Sequence, residues 1–271
     1  MRTLPFLLLF CFISLLPAAG LRAQLAVPIE AGLAYGHVHL NVSDIELHKR
    51  MWVEFFGGTV VDKGPLNVIK MPNMIILLTD RAPTGGSRET VMDHFGFKVR
   101  NLEKFLARWR AAGLEVGPEF IGAEGQPNAY VMMPDDVYVE LQEDQALPVE
   151  ISPYHIHFFT PQYEELLAWY TELLDIEVRS RGSIATTTNV PGMNLSFNPS
   201  REERLPTRGR SIDHIGFDVQ DLEAFSKLLE QEKGISFDSP IREVPAIGLK
   251  IAFLSDPSGV YIEFTEGLDD Y

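Results

Sequence analysis

Pairs of histidines spaced two residues apart are the first feature of this sequence that could do chemistry. His37 and His39 lie in "YGHVHLNV", and His155 and His157 lie in "YHIHFFT". Because side chains alternate across a β-strand, each pair would place both imidazoles on one face. Imidazole binds divalent metal ions and exchanges protons near neutral pH, so both pairs are candidate site residues.

A histidine at the start of an apolar strand recurs four times along the chain. The strands "HVHLNV", "HFGFKV", "HIHFFT" and "HIGFDV" begin at His37, His94, His155 and His214, at separations of 57, 61 and 59 residues. A regular period that covers nearly the whole chain indicates repeated copies of one structural unit. We number these units one to four.

Carboxylates occupy a matching position in the two even-numbered units. Glu140 lies in "VYVELQE" of unit two, and Glu263 lies in "VYIEFTE" of unit four. An ionised carboxylate on an interior face is costly unless it is paired, hydrogen-bonded or bound to a metal. Tyr138 and Tyr261, two residues earlier, share the strand face of these glutamates.

Periodicity and turn signals indicate the elements that would position these residues. A helix-like segment follows each histidine strand; the first is "SDIELHKRMWVEFFGG", with Ser43 or Asp44 as the N-cap and Gly57 as the stop. Short strand-like runs follow each helix, such as "LKIAFLSD" and "VYIEFTE" on either side of a Pro-Ser-Gly turn. We therefore predict an α+β fold of four βαβββ units.

Linker composition suggests how the units pair. Polar linkers join unit one to unit two and unit three to unit four, whereas only the short "DQALPVEISP" separates units two and three. A domain boundary placed there gives domains over residues 33–147 and 152–268. Pairing of the units within each domain would gather two histidines and one glutamate. The predicted metal ligands are His37, His94 and Glu140 in the first domain and His155, His214 and Glu263 in the second.

This ligand set predicts one divalent metal ion in each competent domain. Two imidazoles and one carboxylate leave about three positions open on an octahedral ion, as in non-haem Fe(II) oxygenases. Fe(II) and Mn are the expected metals, and Zn, Ni or Co could also be held. The alternative is that the histidines are packed, hydrogen-bonded interior residues that bind no metal.

Composition and the first residues narrow the class of protein. Residues 1–23 combine an early arginine, an apolar run and small residues before Ala23, which is the layout of a secretory signal peptide. We therefore expect a secreted or periplasmic protein. The only cysteine, Cys11, lies in that segment, so the mature chain would lack disulfides and thiolate metal sites. The net charge is −15 without a dense basic cluster, so neither nucleic-acid binding nor membrane attachment after signal cleavage is expected.

The sequence resembles the vicinal oxygen chelate superfamily, the group of glyoxalases, bleomycin resistance proteins and extradiol dioxygenases. The resemblance is carried by the opening strand "HVHLNV", the helix ends "MWVEFFGG" and "WYTELLD", and "FLSDPSGVYIEF". It implies that paired units form two open, barrel-like β-sheet domains, each around one metal. It also implies a small oxygenated organic substrate, whose two adjacent oxygens bind the metal ion while the ion neutralises developing charge.

Three residues depart from the best-known members of this superfamily. Leu77 and Ser196 stand where glyoxalase I-type lyases usually have a fourth protein ligand, and Phe253 stands at the tyrosine of the extradiol dioxygenase signature. The resemblance therefore leaves the reaction open between a dioxygenase-like and a lyase- or isomerase-like one. The remaining alternative is a metal-free protein that binds a small molecule, of the bleomycin resistance type.

The residues beside the predicted ligands are candidates for proton transfer. His39 and His157 share a strand face with His37 and His155 and could act as general bases or as donors to a ligand. Tyr138 could donate a hydrogen bond to a substrate oxygen, as could Tyr261 in the other domain. For all four candidates the alternative is a packed interior side chain.

Overall fold

Four βαβββ units make up the part of the chain that the structure, a computed structural model, describes. It describes residues 25–30 and 32–269, so the predicted signal peptide at residues 1–23 lies outside the described residues. The predicted α+β fold is confirmed, because each unit contains one long strand, one helix and three further strands. Within the described residues, no helix combines the length and apolar character needed to cross a membrane.

The strands of each unit follow the order expected from the repeat. Unit one contains β1 (Leu33–Val42), β2 (Thr59–Lys63), β3 (Leu66–Met71) and β4 (Met74–Asp80). Unit two contains β5 (Met92–Val99), β6 (Val116–Ile121), β7 (Pro127–Met133) and β8 (Val137–Glu143). Unit three contains β9 (Ile151–Thr160), β10 (Val178–Arg181), β11 (Ile184–Val190) and β12 (Met193–Pro199). Unit four contains β13 (Ile212–Val219), β14 (Ser239–Val244), β15 (Leu249–Ser255) and β16 (Tyr261–Glu266).

One helix follows the first strand of each unit. The helices are α1 (Ile45–Phe56), α2 (Leu102–Ala111), α3 (Tyr163–Leu174) and α4 (Leu222–Gln231). Asp44 caps α1 by accepting a hydrogen bond from the backbone N–H of Leu47, which satisfies a donor that the helix leaves free. Gly57 ends α1 with φ of 71°, a left-handed conformation that glycine adopts without steric cost.

The strands form two mixed sheets of eight strands, and each sheet combines two of the four units. The first sheet has the order β14-β15-β16-β13-β1-β4-β3-β2, and the second has the order β10-β11-β12-β9-β5-β8-β7-β6. Units one and four therefore form the first sheet, joined by antiparallel pairing of β1 with β13. Units two and three form the second sheet, joined by antiparallel pairing of β5 with β9.

The predicted pairing of unit one with two and of unit three with four is wrong. The short segment between units two and three connects two units of one sheet, and the ranges 33–147 and 152–268 each contain half of both sheets. Units one and two instead meet through a helix and a sheet face: Trp52 of α1 lies 5.9 Å from Phe95 and 6.1 Å from Phe97, between ring centroids. Linker composition cannot distinguish units that share a sheet from units that meet through a helix and a sheet face, because both arrangements need only a short connection.

A single large apolar core joins the helices to one face of both sheets. It includes Val38 and Ile215 of the first sheet and Phe95 and Ile156 of the second. Because side chains alternate along a strand, the neighbouring histidines project from the opposite face. We call the faces that carry the histidines the first inner face (His37, His39, His214 and Glu263) and the second inner face (His94, Glu140, His155 and His157).

Candidate metal centres

The structure places all six predicted ligands in two clusters, each on one inner face. His37, His39, His214 and Glu263 form the first centre, and His94, Glu140, His155 and His157 form the second. In each cluster the potential ligand atoms lie within 4.8 Å of one another. The predicted grouping is corrected by the sheet pairing: each centre draws a histidine pair from one odd unit and a histidine and a glutamate from one even unit.

The first centre converges on one carboxylate oxygen. Glu263 Oε2 lies 2.9 Å from Nε2 of His37 and 3.0 Å from Nε2 of His214. All three side chains are buried. On the far side of the His214 ring, Nδ1 donates to Asp213 at 2.6 Å, and Asp213 in turn accepts hydrogen bonds from Asn41 and the backbone of Gly209. This chain of contacts fixes the ring so that Nε2 faces the centre.

The second centre repeats this geometry. Glu140 Oε2 lies 2.9 Å from Nε2 of His94 and 3.2 Å from Nε2 of His155. Asp93 accepts from Nδ1 of His94 at 2.9 Å. The other carboxylate oxygen of Glu140 accepts a hydrogen bond from the Asn128 amide, a contact with no counterpart at the first centre.

Hydrogen bonds and neighbouring charges shift the pKa values of these groups in the direction opposite to that of burial. Burial lowers the pKa of His214, but the hydrogen bonds to Asp213 and Glu263 outweigh it and raise the pKa to about 9. Burial raises the pKa of Glu263, but the contacts with His214 and His37 hold it well below its usual range. His94 and Glu140 shift in the same two directions, and the pKa of His94 also rises to about 9.

This donor set fits a divalent metal ion. Burial lowers the pKa of His37 and of His155, so both imidazoles are neutral at physiological pH and can offer a lone pair. Each glutamate is ionised, and each even-unit histidine has the carboxylate on its second nitrogen that usually orients a metal-binding imidazole. An ion held by His214 and Glu263, or by His94 and Glu140, would displace the proton that each of these pairs shares.

The second histidine of each odd-unit pair differs between the centres. His39 Nε2 lies 2.7 Å from the Thr79 hydroxyl, and burial lowers its pKa to about 3. His157 Nε2 instead accepts from the Arg181 guanidinium at 2.6 Å, and burial holds its pKa well below the usual range. The lone pair of His157 is therefore engaged by a cation, whereas His39 contacts a hydroxyl that can donate or accept.

The two candidate tyrosines line the centres without taking part in the ligand cluster. The Tyr261 ring lies edge-on to His214 at 5.7 Å and stacks on Phe253 at 4.9 Å. The Tyr138 ring lies edge-on to His94 at 5.8 Å and stacks at 4.4 Å on Tyr130, which holds the place of Phe253. Both rings are placed to contact a ligand at the centre.

Sequence reasoning did not single out Asp213, Asp93, Asn128, Tyr130 or Arg181. A signal for the first two was present, because both even units read Asp-His at the start of their first strand. Tyr130 also had one, since it precedes Glu140 by the same ten residues that separate Phe253 from Glu263. Arg181 had one as well, since it precedes Gly182 as the basic Lys63 precedes Gly64 in unit one. Asn128 had none, because the apolar Ile251 holds its place in the other sheet.

Comparison with known proteins agrees with this architecture. Residues 153–264 match the family described as Glyoxalase/Bleomycin resistance protein/Dioxygenase superfamily. Curated protein sequences give no match. Among solved structures, glyoxalase I from Zea mays is similar with a TM-score of 0.65 at 17% identity, covering 88% of this chain and 93% of that one. A mutant of the same enzyme gives a TM-score of 0.68 at 16% identity, covering 88% and 95%.

A putative dioxygenase from Bacillus subtilis subsp. subtilis str. 168 is also similar, with a TM-score of 0.65 at 11% identity over 92% of this chain and 87% of that one. At these identities the solved structures show a shared fold. Residues 153–264 thus match the glyoxalase/bleomycin resistance protein/dioxygenase superfamily, and the described chain as a whole shares the paired βαβββ fold of these solved structures.

Proposed function

We propose that this protein is a divalent-metal-dependent enzyme that binds two adjacent oxygens of a small organic molecule. The observation that carries the proposal is the repeated cluster of two histidines and one glutamate, with an aspartate on the second nitrogen of one histidine. In the first centre the proposed ligands are His37, His214 and Glu263. In the second they are His94, His155 and Glu140.

The residues of the first centre have separable tasks in this proposal. His37 and Glu263, with His214 held by Asp213, would bind the ion. The ion itself would supply charge neutralisation to the substrate oxygens that it holds. His39 is neutral and is the least buried histidine of the cluster, so it is placed to take a proton from a bound ligand.

The similar structures bear names of two reaction types, glyoxalase I and a putative dioxygenase. Leu77 and Ser196 offer no strong metal ligand at the strand positions next to His39 and His157, so each ion would keep open positions for substrate. A three-ligand site of this kind is compatible with either reaction type. We therefore propose the shared step, chelation of vicinal oxygens by Fe(II) or Mn, with Zn, Ni or Co as other metals that the ligand set can hold.

One observation favours a metal-free binding protein as the second candidate. Each glutamate already accepts hydrogen bonds from two histidines of its centre, so the carboxylate is hydrogen-bonded without an ion. A small molecule could then bind the inner face directly. Metal content distinguishes the two candidates.

The experiment is metal analysis of protein reconstituted with Fe(II) or Mn and freed of excess metal. We expect about two equivalents per chain, about one after His214→Gln or His94→Gln, and none after both changes. His48→Gln is the matched control, because His48 is a buried histidine that contacts Asp135 away from both centres. Wild-type protein that retains less than about a tenth of an equivalent would refute the metal-dependent function and leave the second candidate.

Oxygen consumption and isomerisation assays on small diols, catechols and α-hydroxycarbonyl compounds then separate the two reaction types. An oxygen-dependent reaction assigns a dioxygenase-like activity. Turnover without oxygen assigns a lyase- or isomerase-like one.

We also propose that residues 1–23 direct export and are then removed. The support is the layout of this segment, a charged start followed by an apolar run and small residues. N-terminal sequencing of the protein recovered from its native host should begin at Gln24. A chain that retains its first residues and stays in the cytosol would refute export.

A further inference from the structure

Equivalent positions on the two inner faces carry side chains of opposite polarity. Beside the histidine strand of the odd units, three positions are apolar in the first sheet and polar in the second. The pairs are Val68 and Thr187, Ile75 and Asn194, and Leu77 and Ser196. The registers match, since Ile75 pairs with His37 and Asn194 with His155, while Leu77 pairs with His39 and Ser196 with His157.

The same substitution pattern appears beside the glutamate strand of the even units. Phe253 pairs with Glu263 in the first sheet, and Tyr130 pairs with Glu140 in the second. Two residues earlier along each strand, the first sheet has Ile251 and the second has Asn128. On both sides of the centre, positions that are apolar in the first sheet are therefore polar in the second.

The apolar residues of the first inner face form a cluster of their own. Val68, Ile75, Leu77 and Ile251 are buried together and are separate from the main core of the protein. Phe253 packs at the edge of this cluster and is only partly buried. A ligand at the first centre would therefore meet hydrocarbon on both sides and water would be displaced from it.

The polar residues of the second inner face form a hydrogen-bonded network that is incomplete. Arg181 donates to Ser196 and His157, and it lies 3.4 Å from Glu124, which also accepts from Gln142.

The amide oxygens of Asn128 and Gln142 have no hydrogen-bond partner, although both side chains are at least 98% buried. A buried acceptor without a donor costs free energy, so these oxygens are positions where a ligand's hydroxyl groups would be stabilised.

We propose that the two centres select ligands of opposite polarity. The first centre takes a chelating molecule with a hydrocarbon body, and the second takes a polyoxygenated one that exchanges hydrogen bonds with Asn128, Gln142 and Tyr130. The proposal rests on the proposed function only in that metal chelation provides the common anchor; the difference in selectivity comes from the inner faces.

Tropolone and tartrate are suitable probes, because each presents adjacent oxygens to a metal, on an apolar ring in one case and on a polar chain in the other. Calorimetric titration of the Mn-loaded wild-type protein should give one tropolone site and one tartrate site per chain. Saturation with one probe should leave the affinity for the other unchanged. Metal content measured before and after each titration reports separately on the proposed function and on loss of metal to the probe.

Variants assign each probe to a centre. His94→Gln should abolish tartrate binding and leave tropolone binding, and His214→Gln should do the reverse. Replacing Asn128 by Ile and Tyr130 by Phe, the residues of the first face, should weaken tartrate binding at least about tenfold. Because Asn128 also donates to Glu140, the affinities are compared in protein verified to hold two metal equivalents. Both replacements are residues that the first sheet already holds at the equivalent positions, Ile251 and Phe253.

Competition of the two probes for the same site, equal preference of both centres, or no binding of either probe overturns the proposal. If the protein binds no metal and the metal-free protein still shows the two selectivities, the proposed function is refuted but this inference is supported.

Discussion

The imidazole of His37 lies flat against Gly216, the residue opposite it on the antiparallel partner strand. A Cβ atom at Gly216 would come within 1.9 Å of Cε1 of the ring, far inside van der Waals contact. The second sheet repeats this relationship between His155 and Gly96, where a Cβ would lie 2.4 Å from Nε2. The glycine of each even unit therefore gives the histidine of the odd unit the space it needs to reach its glutamate.

Replacing Gly216 by Ala should displace His37 and remove metal from the first centre only. We expect destabilisation by about 1–3 kcal/mol from overpacking, and retention of one metal equivalent at the second centre. Gly96→Ala should have the reciprocal effect, so each variant is the control for the other. Metal analysis and urea denaturation test both expectations, and full metal occupancy in either variant would contradict them.

The sequence predicted the units, but it did not predict which units share a sheet. The repeat located the six proposed ligands because each occupies a fixed place in its unit, and all six lie in the two clusters. The pairing depends on tertiary contacts, such as Phe56 of α1 packing 5.0 Å from Phe97 of β5, that turn neighbouring units face to face. First strands with nearly the same pattern carry no signal that tells an odd unit which of the two even units is its partner.

The alternation of histidine and glycine in the repeat contains information that is clear only in three dimensions. His39 and His157 mark the odd units, and Gly216 and Gly96 mark the even ones at the matching strand position. In the antiparallel register, His37 faces Gly216 while His39 faces His214. The two residue types are therefore complementary across the sheet, which the position in the repeat alone does not reveal.

Removing the charge of Asp213 should weaken metal binding at the first centre. Asp213→Asn keeps an acceptor for Nδ1 of His214 but loses the carboxylate that makes this imidazole a stronger ligand. We expect a loss of roughly 10-fold or more in affinity, measured by metal titration of a protein whose second centre is disabled by His94→Gln. Asp62→Asn, a change of the same kind at an exposed position, should leave the affinity unaltered. Equal affinities in the two variants would contradict a role for Asp213 in orienting the ligand.

Metal affinity should rise with pH up to about 9. His214 and His94 each have a pKa raised to about 9 in the metal-free protein, with hydrogen bonds to carboxylates outweighing burial. Below that pH each holds a proton that the ion must displace, so affinity falls by up to about tenfold for each unit that the pH decreases. Metal titrations between pH 6 and 9, with proton release measured by calorimetry in two buffers, test the slope. Affinity that is independent of pH in this range would show that the proton is absent from the free site.

Asp256, in the turn before β16, should make the protein less stable as the pH rises. Its side chain is fully buried, and burial raises its pKa to about 6 although Tyr170 and the backbone of Val260 donate to it. Because the folded-state pKa exceeds the unfolded value of 3.8, the contribution to stability is fully present below pH 3.8. It is lost as the pH rises through 6, and the change amounts to about 3 kcal/mol.

The measurement that isolates this group compares wild-type protein with Asp256→Asn, which cannot titrate but retains an acceptor oxygen for the backbone. The free energy of unfolding of each is determined by urea denaturation between pH 4 and 7. Glu263 and Glu140 contribute the opposite pH dependence, because their pKa values are lowered, but they do so equally in both proteins. The wild-type value minus the variant value should therefore fall as the pH rises. A constant difference would mean that Asp256 is ionised throughout this range and that its hydrogen bonds outweigh the cost of burial.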